Sequence, residues 1–109
     1  MKFLSTAEEE LLDKKLKLKV KVPAPTNAVR FALYDLGRDE SLEGRIRMSE
    51  YIYDHCVSSV HVGTREITPD LMKQADLADE KTAEVYFRCV DMVVNHQLSV
   101  DEDAEKKSV

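Results

Sequence analysis

The chain has 109 residues, of which 43% are hydrophobic and 34% charged, and carries a formal net charge of −5. That size gives one domain able to bury roughly two thirds of its unfolded surface, and no apolar run nears the ~20 residues of a membrane-spanning helix. The acidic balance speaks against a general nucleic-acid surface, whose affinity comes from clustered Lys and Arg.

The first residues, Met1 to Ala7, begin like a secretory signal, but Glu8, Glu9 and Glu10 interrupt them before an apolar stretch of ~7 residues can form. A cytoplasmic protein is expected. Ser5 and Thr6 stand three residues before Glu8 and Glu9, the spacing of a capping box, which predicts a short helix to about Lys15. Leu11, Leu12 and Leu16 supply its apolar side.

From Leu16 to Val22 apolar residues and lysines alternate, the period of a strand, with Leu16, Leu18, Val20 and Val22 on one face. Pro23 and Pro25 fix φ and remove two backbone donors, so the chain must leave the ladder there. The run from Ala28 to Tyr34 alternates again, with Val29, Phe31 and Leu33 on one face, and predicts the second strand of a hairpin. Two strands cannot hold a sheet in water alone, so helices cover the apolar face or another chain extends the edge.

Past Gly37, Asp39 is placed to cap a helix over 39–60, whose Leu42, Ile46, Tyr53, Cys56, Val57 and Val60 recur at spacings of three and four. Gly44 weakens that helix by about 1 kcal/mol relative to Ala. Met48 and Ile52 widen its apolar side beyond one stripe, predicting contacts on two sides. The segment 61–66 reads as a break. Thr68-Pro69-Asp70 then combines a capping hydroxyl, a proline at the first helical position and an acid in the first turn, opening a short helix that carries Leu71, Met72 and Ala75.

After Asp79, the series Ala83, Tyr86, Phe87, Val90, Val93 and Val94 defines the clearest amphipathic helix, ending near Gln97. Beyond Val100 the charged residues lack apolar periodicity and predict a disordered tail. The expected fold is therefore α+β: a short N-terminal helix and an antiparallel β-hairpin packed against about three α-helices. It forms a single domain over 1–99 followed by a disordered acidic C-terminal tail over 100–109.

Residues able to do chemistry are present but do not form a constellation. His55, Cys56, His61, Cys89 and His96 lack the paired spacing of a zinc site. Cys56 beside His55, or Ser58 and Ser59 near His61, would need a base held within hydrogen-bond reach, which adjacency does not supply. Both cysteines lie on apolar stripes, where the thiolate is disfavoured and a buried free thiol is expected. Asp76, Asp79 and Glu80 stand where a helix begins and favour its dipole. No cofactor, no metal and no catalytic residue is expected, and the protein is read as a non-enzyme.

Lys14, Lys15, Lys17, Lys19 and Lys21 concentrate positive charge at the first strand. Lysines there block unwanted strand pairing or meet an anionic partner. A helix-turn-helix over 68–97 would present Glu80, Lys81, Glu84 and Arg88, a mixed surface poor for phosphate.

The succession of a short N-terminal helix, a strand that ends in a proline turn (16–25), a strand Val29-Arg30-Phe31-Ala32-Leu33 running into Gly37-Arg38-Asp39-Glu40, and an acidic helix finishing in a charged tail resembles the tail assembly chaperones of long-tailed phages and prophages, over roughly residues 10–98. The resemblance implies a non-catalytic protein of the host bacterial cytoplasm that coats the tape measure protein until the tail tube assembles and is then displaced by the major tail protein. It also implies self-association, and a longer product made by ribosomal frameshifting. No binding residue is carried over from the family; the chain itself offers Lys17, Lys19 and Lys21 on the strand, and Met48 and Ile52 on the helix, as candidate partner contacts. The alternatives are a small prophage adaptor or regulator binding one folded partner, and a nucleic-acid binder using the lysine-rich strand. Neither nucleic acid nor membrane is the expected partner.

Overall fold

The structure is a computed structural model that describes residues 8–98. Its fold is α+β: strands β1 (Glu9–Asp13) and β2 (Leu18–Val22), helices α1 (Asn27–Leu36) and α2 (Leu42–His55), strands β3 (Ser59–Val62) and β4 (Arg65–Ile67), and helices α3 (Pro69–Lys73) and α4 (Glu80–Leu98). The strands form one antiparallel sheet in the order β1-β2-β3-β4, with α1 and α2 inserted between its two central strands. The expected tail over 100–109 lies outside the described residues.

The lysine-alternating segment forms β2 as its pattern requires: Leu18, Val20 and Val22 are buried and Lys19 and Lys21 exposed. Its partner differs from the expected one. Segment 9–13, expected as the end of a helix, is β1, paired from Glu9↔Val22 to Asp13↔Leu18. The reversal occupies Lys14 to Lys17, where the Asp13 carboxylate accepts the Leu16 N–H at 3.1 Å and Lys17 takes a left-handed φ of 54°. Tertiary pairing overrides the helix-favouring composition of Glu9-Glu10-Leu11-Leu12, because strand preference is set by what a residue packs against.

The expected second strand, 28–34, is helix α1. Thr26 is its N-cap, its hydroxyl accepting the Val29 N–H at 3.2 Å. On a helix the apolar residues divide: Leu33 is buried and Val29 packs against the core, while Phe31 turns to solvent. On a strand these three would share one face.

Helix α2 begins later than expected and stops at His55 instead of continuing to 60. Ser41, not Asp39, is its N-cap, accepting the Gly44 N–H at 3.1 Å. Asp39 instead positions the cap by accepting from the Ser41 backbone N–H at 3.0 Å and hydroxyl at 2.6 Å. Val60 belongs to β3, and the expected break over 61–66 is the β3–β4 hairpin. Its two-residue loop starts with Gly63 at φ 63°, followed by Thr64 with negative φ, the type II′ arrangement that suits the twist of paired strands. Thr68 and Pro69 open α3 as the sequence predicts, and the Asp79 carboxylate accepts from the Thr82 N–H at 3.0 Å to start α4.

The helices pack on one side of the sheet. There Leu18, Val20, Val22 and Val60 meet Ile52, Tyr53 and Cys56 of α2 and Tyr86, Cys89 and Val93 of α4. The Tyr53 hydroxyl, buried in this core, donates to the Tyr86 carbonyl at 2.8 Å, and the two rings lie 5.1 Å apart. The end of α4 is stapled to the β2–α1 connection: buried Gln97 donates to the Pro23 carbonyl at 3.2 Å and to His96 Nδ1 at 3.0 Å. His96 Nε2 therefore carries the hydrogen donated to the Glu9 carboxylate at 2.9 Å. Arg30 closes the corner with a 3.3 Å bond to the Gln97 carbonyl.

Candidate functional site: an apolar groove and an open sheet face

Strand alternation decides which residues the helices cover. Register places Glu9, Leu11 and Asp13 on the helical side with Leu18, Val20 and Val22, and leaves Glu10, Leu12, Lys19, Lys21, Ser59, His61 and Glu66 on the other. No helix lies over this second face among the described residues. Leu12 is 59% exposed there, and Lys19 reaches diagonally toward Glu10 at 3.9 Å. His61 sits in the middle of the face, its Nδ1 buried without a hydrogen-bond partner. At the hairpin end, Lys14, Lys17, Lys19, Leu12 and Gly63 surround a shallow hollow.

At the other edge of the sheet, β4, α3 and the start of α4 enclose a groove of about 440 Å³. Val62, Ile67, Leu71, Met72, Ala75 and Val85 form its apolar walls, with Arg65, Asp79 and Lys81 also lining it. Leu71 is 53% exposed although it lies in a cap-stabilised helix. A third apolar feature lies on α1, where Phe31 and Tyr34, three residues apart on one helical face, are 73% and 49% exposed.

The candidate residues from the sequence fall in three environments. Lys19 and Lys21 are on the open sheet face, and Lys17 is in the adjoining turn. Met48 is half-buried on α2, on the helical side, where with Arg45 and Phe87 it lines a hollow of about 250 Å³ between α2 and α4. Ile52 is 0% exposed and belongs to the core, so it cannot be a partner contact. The lysines and Met48 therefore do not form one surface. Sequence alone does not reveal the groove or the α1 aromatics: the groove gathers residues from β3, β4, α3 and α4, and a strand over 28–34 puts Phe31 and Tyr34 on opposite faces.

The remaining titratable groups have structural surroundings. Burial pushes the Cys56 and Cys89 thiols up to about 11. Burial likewise raises the Tyr53 hydroxyl. The His55 ring lies 4.7 Å from that of Tyr51, tilted by 46°, while Cys56 is buried in the core. Among the described residues, no group of three or more His, Cys, Asp or Glu is placed to hold a metal ion, and no helix is long and apolar enough to cross a membrane.

No family model matches the chain, no curated protein matches it, and no solved structure matches its fold.

Proposed function

We propose that this protein is a non-catalytic binding protein of the phage tail assembly chaperone type, which holds an apolar helical segment of the tape measure protein and keeps it soluble until the tail tube forms. The observation that carries this reading is the groove between β4, α3 and α4. Its walls are apolar and its charged residues are of both signs, which suits one face of an amphipathic helix laid into it. The sequence resemblance counts for less, because the end of the N-terminal helix it used is strand β1 and its second strand is helix α1. The uncovered sheet face and the Phe31–Tyr34 pair add surface through which copies associate or a long client is contacted at more than one point.

The test is co-expression with a phage tape measure protein as the client. The soluble fraction of that client rises with the wild-type chain and returns to the level of the client alone with Leu71→Asp, a change at an exposed site that leaves the thermal unfolding midpoint near that of the wild type. If the wild-type chain does not change client solubility and the two do not co-purify, the reading fails.

A further inference from the structure

The lysines of β2 stand where their usual structural duty does not apply. Lysines guard edge strands against stray pairing, but β2 lies inside the sheet, bonded to β1 on one side and to β3 on the other. Lys19 and Lys21 therefore protect no edge. Lys14, Lys15 and Lys17 add three more positive charges in the adjoining turn, all exposed. Among the described residues, the one carboxylate within ion-pair distance of these five lysines is Glu10, 3.9 Å from Lys19.

Three of the lysines converge. Lys14, Lys17 and Lys19 border a hollow of about 320 Å³ whose apolar lining is Leu12 and Leu18. Asp13 lines it as well, but its carboxylate is taken by Arg88 Nε at 2.6 Å and the Leu16 N–H at 3.1 Å, and its side chain is 13% exposed. The positive charge of the hollow is thus largely uncompensated. At Gly63 no heavy atom lies within 4 Å of where a Cβ would stand, so the space over that loop is open. The backbone beneath is fixed: the Lys17 N–H donates to the Lys14 carbonyl at 3.3 Å, and the Gly63 N–H donates to the Lys17 carbonyl at 2.8 Å. Two loops are tied together there, and a ligand meets lysines whose backbone is already ordered.

We propose that this hollow binds a short acidic segment of another protein, one that carries an apolar side chain among its carboxylates. The carboxylates meet Lys14, Lys17 and Lys19, and the apolar side chain covers Leu12, which is 59% exposed. A nucleic acid suits the hollow less well. No aromatic ring lines it for a base to stack on, and a strand with a phosphate at every nucleotide would extend past the patch over a chain of net charge −5. Each exposed ion pair is weak alone. Their convergence on one rigid turn, next to an exposed leucine, is what makes the site selective. The hollow is separate from the groove of β4, α3 and α4, and this inference stands apart from the function proposed for that groove.

The test is fluorescence anisotropy of the full chain with two labelled peptides of equal length, leucines alternating with glutamates in one and with glutamines in the other. A labelled single-stranded DNA oligonucleotide is the third probe. At low salt the glutamate peptide is bound about tenfold more tightly than the glutamine peptide, and the ratio falls toward one at about 0.5 M NaCl, where the screening length is ~4 Å. Lys14→Ser, Lys17→Asn and Lys19→Thr made together remove the preference. Asparagine is used at the second position because it tolerates the left-handed φ found there. The charge-matched variant Arg38→Ser, Arg45→Ser, Arg47→Ser, altered on α2 and the turn before it, retains the preference. Equal affinity of the wild type for the two peptides, or binding of neither, overturns the proposal, and that comparison needs no variant to fold. Equal loss in the two variants overturns it too, because overall charge would then account for the binding. Tighter binding of the oligonucleotide than of the glutamate peptide also overturns it, assigning the patch to nucleic acid.

Discussion

Arg88 Nε donates to the Asp13 carboxylate at 2.6 Å, joining α4 to the outer strand β1 between residues 75 positions apart. With His96 and Glu9 one helical stretch further on, it fixes β1 against the helical layer at both ends. The same Asp13 carboxylate accepts the Leu16 N–H that shapes the β1–β2 turn, so one side chain serves the hairpin and its docking.

Asp13 gives the fold an acid limit. The Arg88 hydrogen bond, followed by the Leu16 N–H, holds its carboxyl below the ordinary 3.8. A group whose folded value is lowered contributes stability above its unfolded value, and that contribution is lost as the pH falls through the folded one. The urea midpoint is therefore expected to be level from neutral pH down to about 4 and to fall below it. Asp13→Asn lowers the midpoint at pH 7 and flattens that acid decline. Arg88→Gln added to Asp13→Asn costs less than it does in the wild type, the non-additivity expected of a contacting pair.

Gly44→Ala reverses the sign that helix preference assigns. Glycine inside a helix costs about 1 kcal/mol relative to alanine, so substitution in an open helix would stabilise. Here Gly44 is buried, and a methyl group on it overlaps the Asp39 carbonyl oxygen and side chain, the same Asp39 that orders the Ser41 cap. Chemical denaturation is expected to show a loss of about 1–3 kcal/mol, the usual range for an overpacked site. A stabilised variant would mean that the Asp39 turn moves aside freely.

Ile52 and Met48 separate core from surface on one helix. Ile52→Ala removes a fully buried side chain beneath the sheet and is expected to cost about 2–5 kcal/mol. Met48→Ala, at a half-buried position beside Gly37, is expected to cost less than half of that. Urea titrations of both variants read the contrast directly.

The two thiols report on global opening. Cys56 and Cys89 are buried, and burial raises both to about 11, so neither offers an accessible thiolate near neutral pH. Alkylation by iodoacetamide at pH 8 is expected to be negligible in buffer and to rise together at both sites across the urea transition. Rapid modification of one thiol in buffer would show that its element opens locally.

The parts of the fold legible in the sequence are those whose local signals and tertiary environment agree. Thr68-Pro69 starts α3, the 3.6-residue repeat from Ala83 to Val94 lies within α4, and the lysine alternation gives β2 with its buried face. Where two periods coexist, packing decides. Val29, Phe31 and Leu33 fit a strand, but Val29, Leu33 and Leu36 fit a helical stripe equally well, and Thr26 after Pro25 is the capping signal that favours the helix. Residues Glu9 to Leu12 carry no local sign of a strand, since only β2 beside them makes them one. For the candidate site, the exposure of Lys19 and Lys21 follows from alternation, whereas the groove exists only once β4, α3 and α4 meet.

The insertion of α1 and α2 between β2 and β3 has a kinetic consequence. Each outer strand zips to its neighbour through a short turn, which takes microseconds. The central seam, Leu18↔Val62 to Lys21↔Ser59, joins two ribbons that the chain separates by a two-helix excursion. Closing it costs the entropy of a long loop before any of its hydrogen bonds form. Refolding is therefore expected to wait on this seam, with the two ribbons already made and searching for each other.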